Sequence, residues 1–293
     1  MAYASFAELL AAAGEHGSVG RAALAREAED TGGDPADIVE RMSQTLRVME
    51  EAVERGLAET ELSRSGLTGS QAATLHASTP RVIDGRMHDA LSAALAVAEV
   101  NARMGRVVAA PTGGASGVLP AVLVPIARAL GASRDDTVLA LFAAAAVGGV
   151  IAARATLSGA TGGCQAEIGS AAAMGAVAAV ELAGGSPEQA GHAAAFALQG
   201  LLGLVCDPVG GLVEVPCVAR NATGTAIALS SAEMALAGLR FPIPLDEVID
   251  AMGHVGRSIP PSLRETALGG LAATPSGREL GARLCRGVGC PED

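Results

Sequence analysis

Three cysteines and the complete absence of lysine define the chemistry open to this chain. All 20 of its Lys+Arg residues are arginine. Enzymes that eliminate or deaminate amino acids commonly hold pyridoxal phosphate as a Schiff base on a lysine, so that route is closed here. The cysteines occur as Gly162-Gly163-Cys164, Cys206-Asp207-Pro208 and Val215-Pro216-Cys217. A helix does not easily continue through Gly or Pro, and a thiol on such a loop can point into a cavity. Their separations, 42 and then 11 residues, are not the compact run of a ferredoxin. Two readings stand. The thiols are buried structural residues, or they are three ligands of a 4Fe–4S cluster whose fourth iron stays open to substrate as a Lewis acid.

Other residues near these cysteines have two readings each. Pro111-Thr112-Gly113-Gly114-Ala115-Ser116-Gly117 places three glycines and two hydroxyls ahead of an apolar helix expected to begin near Pro120. Thr112, Gly114 and Ser116 are therefore candidates to bind an anion such as a substrate carboxylate, against the alternative of a tight interhelical turn. The stretch lacks the Gly-Lys-Ser/Thr of a phosphate loop and the preceding strand of a dinucleotide fingerprint. Glu167 and Glu214 flank cluster-candidate cysteines and would titrate high if buried, or act as plain hydrogen-bond acceptors. Arg220, with Asn221 beside it, is a candidate carboxylate clamp; its alternative is a buried ion pair with an acid such as Asp207. The five histidines, His16, His76, His88, His192 and His254, carry no pattern that marks a catalyst.

The elements that must hold these loops read as helices. Asp34-Pro35 is an N-cap and first-turn pair, followed at helical spacing by Ile38, Met42, Leu46, Met49, Val53 and Leu57, ending near Gly56. Gly66 to Gly69 is a turn. A helix is expected over about 86–104, another from Ser186-Pro187 to about Leu202, and a buried one over Val138–Ala153, which runs sixteen residues without a charge. That run is short for a bilayer crossing and mostly Ala and Gly, so it reads as a core helix. No sustained alternation of period two appears. The expected fold is all-α, a compact bundle of buried Ala/Gly-rich helices with catalytic loops between them.

Charge divides the chain. Residues 1–66 carry 13 acidic and 6 basic side chains, whereas residues 105–230 carry only 7 and 5. By size the chain could form one large domain or two small ones. The expectation is a single domain over 1–293, in which charge marks an acidic, solvated helical segment at 1–66 and a helical core at 67–284, ahead of a Cys-containing tail at 285–293. The net charge of −11 argues against nucleic acid and anionic membranes as partners. Five cysteines and an amino terminus without a basic, apolar leader suggest a reducing, cytoplasmic setting.

Six stretches carry a family resemblance: "VMEEAVERGL" (48–57), "SGLTG" (65–69), "APTGGASGVLPAVL" (110–123), "GCQAEIGSA" (163–171), "LGLVCDPVGGLVEVPCVARNA" (202–222) and "LRETALGGLAATPSGREL" (263–280). In this order they resemble the α subunit of iron–sulfur-dependent L-serine dehydratase. The resemblance implies an all-helical catalytic subunit with a 4Fe–4S cluster on Cys164, Cys206 and Cys217. It also implies a separate β subunit, the split form of a family that elsewhere joins both parts, and assembly as a hetero- or homo-oligomer. The small amino-acid substrate would be L-serine, deaminated to pyruvate and ammonia. Threonine, cysteine or another β-substituted amino acid is the alternative. Glu167 and Arg220 are then the catalytic candidates, and Thr112, Gly114, Ser116, Arg220 and Asn221 the substrate-binding ones. Cys290 would be a possible tail cap on the open iron. Two departures bear on substrate: Ala219 stands where the family often has lysine, and Leu198 to Leu201 is less polar than usual.

Overall fold

A computed structural model describes residues 3–288, so Cys290 lies outside the described residues. Among these the chain forms thirteen α-helices and no strand. They are α1 (Phe6–His16), α2 (Val19–Thr31), α3 (Pro35–Ala58), α4 (Gln71–His76), α5 (Gly85–Ala102), α6 (Val118–Leu130), α7 (Arg134–Arg154), α8 (Gly159–Gly162), α9 (Ser170–Leu182), α10 (Pro187–Gln199), α11 (Cys217–Leu236), α12 (Leu245–Ser258) and α13 (Pro275–Val288). The all-α expectation holds. The nearest thing to a β ladder is one isolated parallel bridge between Cys206 and Arg264.

Local chemistry accounts for where several helices begin and end. The Asp34 carboxylate accepts from the Ala36 N–H with Pro35 in the first turn, satisfying a donor that a helix start leaves open. Ser133 with Asp136, and Ser186 with Gln189, form capping boxes at α7 and α10. Helix α10 stops at Gln199, three residues before the expected Leu202, and Gly200 caps it. The helix after the Gly-rich loop starts at Val118, two residues before Pro120.

Helix α9 lies at the centre, packed against α6, α7, α10 and α11. Eleven of its thirteen residues are buried, almost all Ala, Gly or Val. Small side chains let the surrounding helix backbones approach closely on every side. Gly175 shows the tolerance: a Cβ there would lie 3.2 Å from both the Ala228 methyl and a Val122 methyl. Helix α7 is long and apolar enough to cross a bilayer, but 67 % of its most apolar stretch is buried within the fold, under α2, α3, α9 and others.

The acidic amino-terminal segment is not simply solvated. Phe6 and Leu9 of α1, and Ile38, Leu46 and Met49 of α3, are buried in the same apolar cluster as α9. One face of each helix joins the core while the carboxylates line the other, the amphipathic arrangement of a surface helix.

Candidate active site

Four segments converge at one end of the bundle: the Gly-rich loop before α6, the turn between α8 and α9, the stretch from Gly203 to Cys217, and the segment after α12 around Arg264 and Glu265. The second enters α9 through a π-helical turn at Gln165–Gly169, a widened turn that often marks a functional site. Gln165 ties two of these segments together. Its fully buried amide donates to Gly162 O (2.9 Å) and Met252 O (3.0 Å), and accepts from Gly203 N (2.9 Å).

Cys206 is held from both sides. Its N–H donates to Leu263 O (2.9 Å) and its carbonyl accepts from Glu265 N–H (2.7 Å). The neighbouring Asp207 carboxylate accepts from Leu271 N–H (2.7 Å). Its other oxygen lies 2.8 Å from Arg220 Nη2, an ion pair without hydrogen-bond alignment. Arg220 also donates to Val205 O (2.9 Å), and its charge lies against the Cys164 thiol. The geometry therefore favours the buried ion pair for Arg220 over a free clamp.

The three thiols share one environment. Burial above all raises each of them, with Cys164 pushed up to about 11, Cys217 to about 12 and Cys206 well above its ordinary range. The Arg220 charge opposes this at Cys164, whereas at Cys206 and Cys217 the neighbouring Cys164 adds to it. Glu167 stands among them, with Cys206 Sγ 3.9 Å from its Oε2. Thr112 Oγ1 donates to Glu167 Oε1 (2.7 Å), joining the Gly-rich loop to the thiol cluster. Burial raises the Glu167 carboxyl, and the Glu265 charge adds to the rise against the Thr112 hydrogen bond.

Asn221 builds the Gly-rich loop. Its Oδ1 accepts from Gly117 N–H (2.8 Å), and its Nδ2 donates to Gly114 O (2.8 Å) and Cys217 O (2.9 Å). Ser116 is fully buried, and its hydroxyl has no hydrogen-bond partner. Glu214 is buried too: Ser63, Ser65 and Thr68 all donate to its Oε2 at 2.6–2.8 Å. This is the acceptor reading of Glu214, and it pins the Ser65–Gly69 turn to the Cys217 loop.

A cleft of about 490 Å³ opens onto this assembly, lined by Asn101, Met104, Thr112, Gly113, Gly114, Glu167, Val213, Glu214 and Glu265 among others. A cavity of similar size between α5, α6, α9 and α11 is walled mostly by apolar side chains. None of the five histidines lines the 490 Å³ cleft. Asp207 is legible in the sequence as an ion-pair partner of Arg220, but Gln165 and Glu265 have no role of their own there, because what gives them work is contact with segments distant in the chain. Among the described residues no three His, Cys, Asp or Glu side chains stand close enough to hold a single metal ion.

The model of the serine dehydratase alpha chain family matches residues 15–272. The chain belongs to that family. It is 50 % identical over 273 residues to the probable L-serine dehydratase, alpha chain of Bacillus subtilis (strain 168), covering 90 % of this chain and 89 % of that protein. To the probable L-serine dehydratase, alpha chain of Latilactobacillus sakei it is 58 % identical over 194 residues, 66 % of this chain and 93 % of the other. To L-serine dehydratase 1 of Escherichia coli (strain K12) it is 46 % identical over 181 residues, 61 % of this chain but only 40 % of that longer protein. The family match spans all four segments that build the cleft up to Ala272.

Proposed function

We propose that this chain is the catalytic α subunit of a cytoplasmic L-serine dehydratase that forms pyruvate and ammonia. On this reading it is a single catalytic domain, works with a separate β subunit and carries a 4Fe–4S cluster on Cys164, Cys206 and Cys217. The observation that carries the reading is the convergence of three thiols on Glu167, at the foot of a cleft, in a chain of this family. Two features support the cluster. Three crowded thiols that resist ionisation alone suit a cationic group that would stabilise them as thiolates. Gly159 lets the site close tightly around them: a Cβ there would clash with the Glu167 carboxylate and lie 3.2 Å from Cys206 Sγ. A multi-iron cluster is also wider than one ion, so its ligands stand further apart than single-ion ligands do.

When bound, the cluster supplies a Lewis-acidic iron that polarises the serine hydroxyl, otherwise a poor leaving group. The chain's own residues do the rest. Gly113 and Gly114 line the cleft and their N–H groups have no acceptor among the described residues, so they suit the substrate carboxylate. Asn221 holds that loop in shape from behind, and Ser116 lies buried beneath it. Glu167 takes the α-proton on an oxygen, with Thr112 fixing the orientation of the carboxylate. Burial raises this carboxyl, which makes it a stronger base than an ordinary carboxylate. Arg220 keeps Asp207, and so the Cys206 backbone, in place. Loss of water from the substrate leaves aminoacrylate, which hydrolyses to pyruvate and ammonia.

The test is anaerobic purification with the β subunit, reconstitution with iron and sulfide, and a pyruvate assay on L-serine. We expect brown protein and pyruvate formation, both lost in air and in Cys206→Ser. A loaded cluster without pyruvate would redirect the search to threonine, cysteine or another β-substituted amino acid. No cluster under these conditions would remove the metal assignment.

A further inference from the structure

We infer that Glu265 is the residue that recognises the substrate's ammonium group, and so selects an amino acid over the matching hydroxy acid. This inference rests on the serine dehydratase reading of the cleft. A zwitterionic substrate must find a partner for each of its two charges. The cleft lining offers three carboxylates, Glu167, Glu214 and Glu265, and no arginine or histidine. Two of the three are already engaged. Glu214 takes three hydroxyl hydrogen bonds on one oxygen, and Glu167 is bonded by Thr112 and lies against Cys206. The Glu265 side chain is exposed in the cleft and makes no hydrogen bond or ion pair among the described residues. It is the lining carboxylate left free to meet a cation.

The backbone holds Glu265 for that position. Its φ is +64°, in the left-handed region that non-glycine residues rarely adopt, and its N–H is bound to Cys206 O at 2.7 Å. A residue kept in that conformation is over-determined by its surroundings. Here it is tied to the same residue that the proposed cluster would use, so the ammonium site and the leaving-group site move as one unit. Arg264 beside it points away, donating to Thr161 O. Gly113 and Gly114 line the same cleft from a different segment of the chain. Carboxylate on the glycine loop and ammonium on Glu265 would fix the Cα between them and direct the α-hydrogen to Glu167.

The experiment compares wild type, Glu265→Gln and Glu265→Gly in the reconstituted complex with the β subunit. The glycine variant removes the carboxylate while relaxing the left-handed backbone, so it keeps the test valid should the glutamine variant fold poorly. Turnover of L-serine and inhibition by glycerate, in which a hydroxyl replaces the ammonium, are measured together. Loss of a charge-assisted contact should raise KM for L-serine about ten- to a hundredfold. The affinity for glycerate should be unchanged or improved, with kcat altered far less than KM and cluster absorbance retained. Equal weakening of serine and glycerate, or an unchanged KM in both variants, would overturn the assignment while leaving the dehydratase reading intact. A wild-type complex that neither turns over L-serine nor prefers it to glycerate would overturn both.

Discussion

The centre of the bundle and its cleft end solve opposite problems with neighbouring stretches of chain. Helix α9 buries eleven residues that are almost all Ala, Gly or Val. The turn that leads into it, only a few residues earlier, carries Cys164, Gln165 and Glu167, and burial raises both the Cys164 thiol and the Glu167 carboxyl. In the centre, stability comes from close approach of small side chains, each giving little but none costing desolvation. At the cleft, each polar group must be matched to a partner, and raised carboxyls and thiols show where the match is incomplete. The contrast teaches that substitutions in the two regions should separate stability from activity.

The largest expected effect on stability lies in the centre. Gly175→Leu would drive a side chain into Val118, Val122 and Ala228, which already stand 3.2–3.6 Å from where its Cβ would be. Overpacking of this kind should cost about 3 kcal/mol in denaturant unfolding. KM for L-serine in the surviving folded protein should not change. If Gly175→Leu shifts KM instead, the two regions are coupled and the contrast fails.

Asn221→Asp probes the other side. Its Nδ2 donates to two carbonyls, and a carboxylate oxygen there would face both acceptors with nothing to donate. Each of the two carbonyls left unmet costs about 1–3 kcal/mol, so the loss of stability should be comparable to that of the packing defect. Because Asn221 shapes the loop at Gly114 and Gly117, kcat/KM should fall by at least about tenfold. The two variants should therefore both lose stability, while only Asn221→Asp lowers kcat/KM in the protein that remains folded.

How far these regions were legible in the sequence follows the same division. Around the centre local pattern suffices, so an uncharged run at Val138–Ala153 and a capping pair at Asp34-Pro35 announce α7 and α3 within a few residues of their ends. Helix α9 itself, buried on every side, offers no apolar stripe to mark it. The cleft rests on contacts across distance. Thr112 meets Glu167 across 55 positions of chain, and Asp207 meets Leu271 across 64. Gly and Pro settings single out the cysteines, because loop chemistry is local. Glu265 lies in a stretch that carries the family resemblance, but nothing local assigns it a role, which depends on a positive φ and a hydrogen bond to Cys206. Arg220 shows the boundary between the two: its type suggests two roles, and only its contacts with Asp207 and Val205 favour one.

Thr112→Val would sharpen the comparison with a smaller change. Its hydroxyl holds the Glu167 carboxyl down against burial and the Glu265 charge. Removing it should raise Glu167 further, so the acidic limb of the kcat/KM profile should move to higher pH. Activity near neutral pH should drop several-fold, with little change in unfolding. An unmoved limb would argue that another group takes the α-proton.

The smallest effect concerns a carboxyl outside both regions. Glu99 in α5 is fully buried, and burial raises it despite hydrogen bonds from the Gln71 and Ala72 N–H groups. It caps the start of α4 from a neighbouring helix, where Ser70 makes no side-chain cap. A carboxyl raised in the folded chain binds its proton more tightly there than in the unfolded chain. Its contribution is therefore fully present below the ordinary value of 4.5 and is lost as pH rises through the folded value. Glu167 and Glu181 are raised as well, so the cluster-free chain should lose stability as pH rises above the ordinary carboxylate value of 4.5. Glu99→Gln keeps an acceptor for the α4 amides but removes the titrating group. It should flatten that slope, leaving the acidic limb of the activity profile where it was. If the slope persists undiminished in Glu99→Gln, then the carboxyls at the cleft and at the end of α9 carry it instead.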